Sequence, residues 1–322
     1  MRTAKAARAA METVAVILQE PQHLELSRID LVEPGEEDVV VDVEWSGIST
    51  GTERLLWSGA MPPFPGMGYP LVPGYESVGR VASAGKGAKL SVGERVFVPG
   101  ASCFGKIRGL FGGAASRLVV KSRRVIPVKE SLEEQGVLMA LAATAYHAIA
   151  VPNAILPDLI VGHGVLGRLL ARIAVAKGGS PVVWETNAAR RDGAEGYTVV
   201  GPADDDRKDY RAIYDVSGDA GLLDMLIARL SPGGEVVLAG FYSAPLSFAF
   251  PPAFMREARI RVAAEWRPED LVETRSLIET RALSLTGLIT HREAPERAAY
   301  AYETAFNDPS CLKMILDWRA TT

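Results

Sequence analysis

Apolar positions along this chain keep two different periods, and the change falls near residue 131. Between Met11 and Val128, short β-branched runs alternate with turns rich in glycine and proline. Residues 13–18 (TVAVIL), 23–29 (HLELSRI), 38–45 (DVVVDVEW), 77–85 (SVGRVASAG), 94–100 (ERVFVPG) and 116–120 (SRLVV) each read as a strand bounded by turn residues. Many short strands at close spacing predict a barrel-like domain. Residues 132–150 then place apolar side chains at helical spacing and predict one or two helices leading out of it.

From Leu159 onward, strand and helix alternate. Residues 158–164, 181–185, 197–202, 210–218, 234–241 and 259–266 predict strands, and 168–179, 221–230 and 269–283 predict helices. Short, apolar, β-branched strands of this kind are buried on both faces, the signature of a doubly wound parallel sheet. The last segment is mixed, with a strand at 287–291, a helix at 294–306 and a strand at 311–318 expected to return to the first domain. The expected division is an extension without order at 1–10, a first domain of 11–149 and 282–322, and a second of 150–281.

A chain of 322 residues has room for two domains of roughly 100–200 residues each. The net charge of −4 argues against nucleic acid as a partner, which calls for a basic patch or stripe. Two cysteines, Cys103 and Cys311, exclude a disulfide framework and a four-cysteine zinc lobe, and point to a reducing, cytoplasmic setting. No apolar run approaches the ~20 residues of a membrane span. The basic, alanine-rich residues 1–10 lack the apolar core of a secretory signal.

The sharpest motif is Gly162-His163-Gly164-Val165-Leu166-Gly167, which follows a buried strand and opens a helix with an apolar stripe. In a dinucleotide fingerprint the first glycine makes the tight turn, the second admits the pyrophosphate, and the third lets helix and strand pack closely. His163 would then lie near the pyrophosphate. Glu185 ends the next strand, where a carboxylate accepts hydrogen bonds from ribose hydroxyls and repels a 2′-phosphate, favouring NAD over NADP. Arg190 and Arg191 stand close enough to offer the opposite preference unless the following helix exposes them. Ser217, in Asp215-Val216-Ser217-Gly218, and Gly240 read as strand-end positions beside the nicotinamide half.

These motifs, with Gly47-Ile48-Ser49, Thr52-Glu53, Pro73-Gly74-Tyr75-Glu76, Val92–Val96 and Pro232-Gly233-Gly234, resemble the medium-chain dehydrogenase/reductase superfamily in their order. The resemblance implies an α/β fold: a GroES-like β-barrel catalytic domain plus a Rossmann domain, with the active site between them. Zinc-dependent members carry cysteine where this chain has Ser49 and a His-Glu pair where it has Tyr75-Glu76. The third ligand falls at Ala142-Ala143-Thr144. A metal-free site is therefore expected. The run Trp45–Gly59, followed by Met61–Ser77, resembles the members that oxidise the 3-(1-hydroxyethyl) group of a (bacterio)chlorophyllide a to 3-acetyl in bacteriochlorophyll synthesis. That likeness implies a tetrapyrrole substrate.

A hydroxyl next to a conjugated macrocycle needs less alkoxide stabilisation, because the macrocycle delocalises positive charge as hydride leaves. Positioning plus a proton relay would then serve in place of a metal. Thr50, Thr52, Tyr75 and His147 are the relay candidates, against turn-satisfying threonines, an aromatic wall and a hydrogen-bonded core histidine. Ser49, Trp57, Phe64, Met67, Tyr69 and Glu76 are candidates to line the pigment site, with Trp57, Phe64, Met67 and Tyr69 offering flat or polarizable surface. Those four have the alternative of packing their loop on its own domain, and Glu76 that of anchoring an arginine. Arg54 or Arg108 is available to the substrate's propionate. The stretch Leu246–Val262 resembles the superfamily's dimer-forming edge and implies a homodimer. Two other readings compete with this one: a zinc-free NAD(P)H quinone or enone reductase, and a nucleotide-binding pigment carrier without catalysis.

Overall fold

A computed structural model of the chain describes residues 11–63 and 65–321. The extension at 1–10 and the candidate Phe64 lie outside the described residues.

The first part is β-rich, as its short valine-dense runs require. Its strands are β1 (Glu12–Glu20), β2 (His23–Asp30), β3 (Asp38–Ile48), β4 (Leu71–Val72), β5 (Ser77–Ala84), β6 (Arg95–Val98), β7 (Arg108–Gly109), β8 (Arg117–Lys121) and β9 (Ile126–Pro127), with one helix, α1 (Thr52–Ser58). α2 (Met139–Ile149) leads out of it, entered through a 3-10 stretch, Glu130–Leu138, that breaks at Glu133. Val39, Val40, Val41 and Val43 of β3 are all buried in one apolar cluster, so both faces of the strand are covered, and strands pair along both its edges.

The second part comprises β10 (Leu159–Val161), α3 (Val165–Ala176), β11 (Val182–Trp184), β12 (Thr198–Val200), β13 (Tyr210–Asp215), α4 (Leu223–Ala228), β14 (Leu230–Leu238), α5 (Phe250–Met255), β15 (Arg259–Val262) and α6 (Pro268–Glu279). Its six strands lie in the order β12-β11-β10-β13-β14-β15, all parallel. This is the doubly wound arrangement whose strand order reverses beside β10, the switch point where dinucleotides bind. The chain closes with β16 (His291–Glu293), α7 (Ala298–Asn307) and β17 (Met314–Asp317).

β17 pairs antiparallel with β3, Met314 opposite Ile48 and Asp317 opposite Trp45, so the end of the chain completes the first part's sheet. Trp318 is fully buried there, its indole N–H donating to Ser46 Oγ at 2.8 Å. The alanines of α2 (Ala140, Ala142, Ala143, Ala145, Ala148) let that helix sit in one cluster with Trp45, Val78 and Phe97 on one side and Ile160, Val183, Tyr214 and Val237 on the other.

Three local expectations change. No helix follows β11; a 3-10 turn, Ala188–Arg190, capped by Asn187, takes its place, and Gly193 and Gly196 at φ +82° and +80° turn the chain back. The strand expected at 287–291 begins at His291, because Gly287 at φ +74° turns the chain and buried Leu288 plugs the core. Pro251 and Pro252 lie in the first turn of α5, where a missing N–H costs nothing, rather than before a continuous β run.

Trp318→Ala removes the largest side chain of the C-terminal anchor. A loss of about 3–5 kcal/mol in urea unfolding is expected; a loss under about 1 kcal/mol would show that the strand is held by other contacts.

Candidate active site

Gly162, at φ +105°, ends β10 and turns the chain towards α3. A Cβ on Gly167 would stand 1.9 Å from the Gly162 carbonyl oxygen, so the close helix–strand packing requires glycine. Gly164 has nothing within 4 Å of its Cβ position, which leaves bare backbone at the N-terminus of a 12-residue helix. Such a surface fits a pyrophosphate. Val165 is buried behind it and Leu166 half-buried.

His163 is fully buried and held on three sides. Its N–H donates to Glu185 Oε2 at 3.2 Å, Nδ1 meets the Arg190 carbonyl at 2.7 Å, and Nε2 meets the Tyr197 hydroxyl at 2.9 Å. Burial pushes its imidazole down to about 4, so the ring is neutral, Nδ1 donates and Nε2 accepts. It is a positioning group for the loop. Glu185 also accepts from the Asn187 N–H at 2.8 Å. The Arg190 guanidinium turns away to the Pro309 and Cys311 carbonyls, and Arg191 donates to the Glu185 carbonyl at 3.0 Å. At the end of β13, Asp215 gathers the Ser217 N–H and hydroxyl at 2.9 and 2.6 Å and the Tyr242 hydroxyl at 2.8 Å. Gly240 donates its N–H to the Asp215 carbonyl, binding the two loops together.

In the other half of the site two hydroxyls meet, with a third beside them. Ser49, just after β3, lies 2.6 Å from the Tyr75 phenol, and the Thr52 side chain stands next to the same phenol. Burial, and after it the charge of Glu76, pushes Tyr75 above the usual phenol range, so it stays protonated. Tyr75 packs edge-on to Phe111 at 5.5 Å. Tyr75 and Leu166 both pack against the large apolar cluster that spans the two parts of the chain.

Behind the hydroxyls lies a charged cluster. Glu53 accepts from the Ser49 N–H at 2.9 Å and from the Tyr302 hydroxyl at 2.7 Å, and burial raises it to about 7. Lys313, just ahead of β17, donates to Glu76 Oε2 at 2.7 Å and to the Ile48 carbonyl at 3.1 Å. Glu53, Glu76, Lys313 and Tyr302 are each 1% exposed or less.

Other candidates stand elsewhere. Thr50 is exposed in the turn before α1. His147 is buried on α2 with Nδ1 2.8 Å from Asp270, which also caps the start of α6. Trp57 packs on Phe306 at 5.5 Å, the Tyr69 hydroxyl donates to the Leu56 carbonyl, and Met67 joins them on the core of the first part. Glu76 meets a lysine, where an arginine was weighed, and has no exposed surface for a pigment. Arg108 leans on the Tyr69 carbonyl at 3.4 Å, and Arg54 is exposed on α1. Among the described residues no three His, Cys, Asp or Glu side chains converge as a metal site would need.

Glu53, Lys313 and Tyr302 were not singled out from sequence as site residues. The signal was a lone lysine in the otherwise apolar run Cys311-Leu312-Lys313-Met314-Ile315-Leu316, since a buried charge must have a partner.

Known proteins carry the same frame. The family model for the alcohol dehydrogenase GroES-like domain matches residues 35–130. The 2-desacetyl-2-hydroxyethyl bacteriochlorophyllide A dehydrogenase of Cereibacter sphaeroides is 61% identical over 97% of this chain and 100% of its own length. The protein of the same description from Rhodobacter capsulatus is 60% identical over 96% of this chain and 99% of its own. A short chain alcohol dehydrogenase from Escherichia coli CFT073, solved complexed with cofactor NADH, shares the fold at a TM-score of 0.81 and 21% identity, over 95% of this chain and 99% of that one. L-idonate 5-dehydrogenase from Escherichia coli K-12 does so at 0.83 and 16%, over 95% and 98%. Fold and site thus define an oxidoreductase of the alcohol dehydrogenase type. The chain belongs to the medium-chain dehydrogenase/reductase superfamily and, within it, to the family of the 2-desacetyl-2-hydroxyethyl bacteriochlorophyllide A dehydrogenases.

Gly167→Ala forces β10 and α3 apart at the pyrophosphate turn. Dinucleotide affinity, read by fluorescence titration, is expected to fall by at least about tenfold, the loss of about 1.4 kcal/mol of binding; an unchanged Kd would mean that the cofactor does not use this turn.

Proposed function

We propose that this chain is an NAD-dependent dehydrogenase that oxidises the 3-(1-hydroxyethyl) group of a (bacterio)chlorophyllide a to 3-acetyl, without a metal. The observation that carries the reading is identity above 60% along essentially the whole chain to a relative described as a 2-desacetyl-2-hydroxyethyl bacteriochlorophyllide A dehydrogenase. In the reaction the carbinol C–H bond breaks with its electron pair, the O–H bond breaks, and the C–O bond becomes double. Bound NAD supplies the hydride acceptor. Ser49 and Tyr75 supply a bonded pair of hydroxyls, with Thr52 beside it, that orients the substrate oxygen and passes its proton on. Tyr75, held above the usual phenol range, relays the proton as a neutral group and does not take it as a base.

Metal independence is supported by the donor set. Zinc takes thiolate, imidazole or carboxylate, and Ser49 and Tyr75 instead bond to each other. Preference for NAD is supported by the Glu185 carboxylate at the end of β11 and by the turning of Arg190 and Arg191 onto protein carbonyls. A homodimer is supported by β15, which among the described residues pairs on one side only, with β14. Its own Val262 is 73% exposed, and Phe254 and Met255 of α5 are 66% and 77% exposed. An open edge with apolar neighbours invites a second copy across a two-fold axis.

EDTA-treated protein is expected to convert 3-hydroxyethyl bacteriochlorophyllide to the acetyl form with NAD and far more slowly with NADP, followed by pigment absorption. Tight pigment binding with no turnover would overturn the dehydrogenase reading in favour of a carrier. Turnover that EDTA abolishes would overturn only its metal independence. For the dimer, Val262→Asp with Met255→Glu is expected to halve the mass in sedimentation equilibrium; a monomeric parent protein would refute it.

A further inference from the structure

The cluster behind the hydroxyls grips one peptide bond at both ends. The Ile48 carbonyl accepts from the Lys313 ammonium, and the Ser49 N–H donates to the Glu53 carboxylate. Gly47, one residue earlier, has no room for a side chain, since a Cβ there would lie 2.2 Å from Glu76 Oε2. No side chain caps α1, so the Ser49 turn relies on these charged partners for its position. Two carboxylates face one ammonium, and Glu76 Oε1 has no hydrogen-bond partner. With both carboxylates ionised, the cluster carries one excess negative charge, directly behind the hydroxyl that meets Tyr75.

We propose that Glu53 is a positioning residue for the oxidation: its ionised carboxylate holds Ser49 against Tyr75 and places the cluster's excess negative charge behind the reacting carbinol. This rests on the dehydrogenase reading above. As the C–H electron pair leaves as hydride to the nicotinamide acceptor, positive charge grows on the carbinol carbon and oxygen. A fixed negative charge nearby favours that transition state, and the hydroxyl proton then leaves through the hydroxyls to water. A charge-assisted bond to the Ser49 N–H is also roughly twice as strong as a neutral one.

The groups facing Glu53 are Tyr302 from α7, Tyr75 and Glu76 from the turn before β5, Lys313 from ahead of β17, and Ser49 just after β3. Burial, the largest influence, holds the carboxyl at about 7. Below that pH Glu53 is protonated, Tyr302 turns from donor to acceptor, and the excess charge is gone. Oxidation should therefore rise with pH through about 7.

Glu53→Gln keeps an oxygen for the Ser49 N–H and cannot ionise. Expected are a fall in kcat of about 10- to 100-fold, an unchanged pigment KM and dinucleotide affinity, and loss of the rising limb. Glu53→Asp should restore the limb. Tyr302→Phe removes a bond to the charged form and should move the limb to higher pH, which a merely structural role would not do. A limb that persists in Glu53→Gln, in a parent protein that does oxidise the pigment, overturns the proposal and leaves the dehydrogenase reading intact. Infrared titration reads Glu53 whether or not the pigment is turned over. A carboxylic C=O band titrating near 7 and missing from Glu53→Gln is expected, and its absence from the parent protein also overturns the proposal.

Discussion

The buried ion pair between Lys313 and Glu76 is the constraint on which this molecule turns. Moving two charges out of water costs several kcal/mol each, and only close mutual contact with further hydrogen bonds offsets it. Lys313 meets that demand with Glu76 and the Ile48 carbonyl, which lie in the turn before β5 and at the end of β3. The end of the chain must therefore dock on its beginning. The antiparallel pairing of β17 with β3 and the seating of Trp318 on Ser46 follow from the same placement.

That docking also builds the hydroxyl-bearing half of the candidate site. Ser49 is one residue beyond the carbonyl that Lys313 holds, and its N–H is taken by Glu53, itself steadied by Tyr302 of α7. A helix and a strand from the C-terminal fifth of the chain thereby position hydroxyls from its first quarter. Lys313 and Glu53 hold the two ends of the Ile48–Ser49 peptide, and the Ser49 hydroxyl meets the Tyr75 phenol.

The glycine-turn half follows a more local logic. Gly162, Gly164 and Gly167 shape the turn from φ and close approach alone, and His163 is neutral because it is buried between the Arg190 carbonyl and Tyr197. The two halves meet where the alanine-rich α2 lets the barrel sheet and the parallel sheet share one apolar cluster bordered by Tyr75 and Leu166.

The periodic and punctuated features were legible in the sequence alone. These were the short valine-rich strands, the alternation after Leu159, the glycine turn, Glu185 at the end of its strand, and the absence of thiolate and imidazole at Ser49 and Tyr75. Each depends on residues near one another in the chain, or on a residue type that no tertiary contact changes. What the tertiary structure alone decided was partnership. His147 on its apolar helix could have reached a substrate, and packing gave it to Asp270. Arg190 and Arg191 could have met a phosphate, and a 3-10 turn in place of a helix directed them to carbonyls. Trp57, Met67 and Tyr69 suited a pigment by shape, and the structure packs part of each against the apolar cluster of its own domain while leaving the rest of each side chain accessible. A side chain's partner is set by distance in space, and for Glu53 and Tyr302, 249 positions apart, no local pattern encodes it.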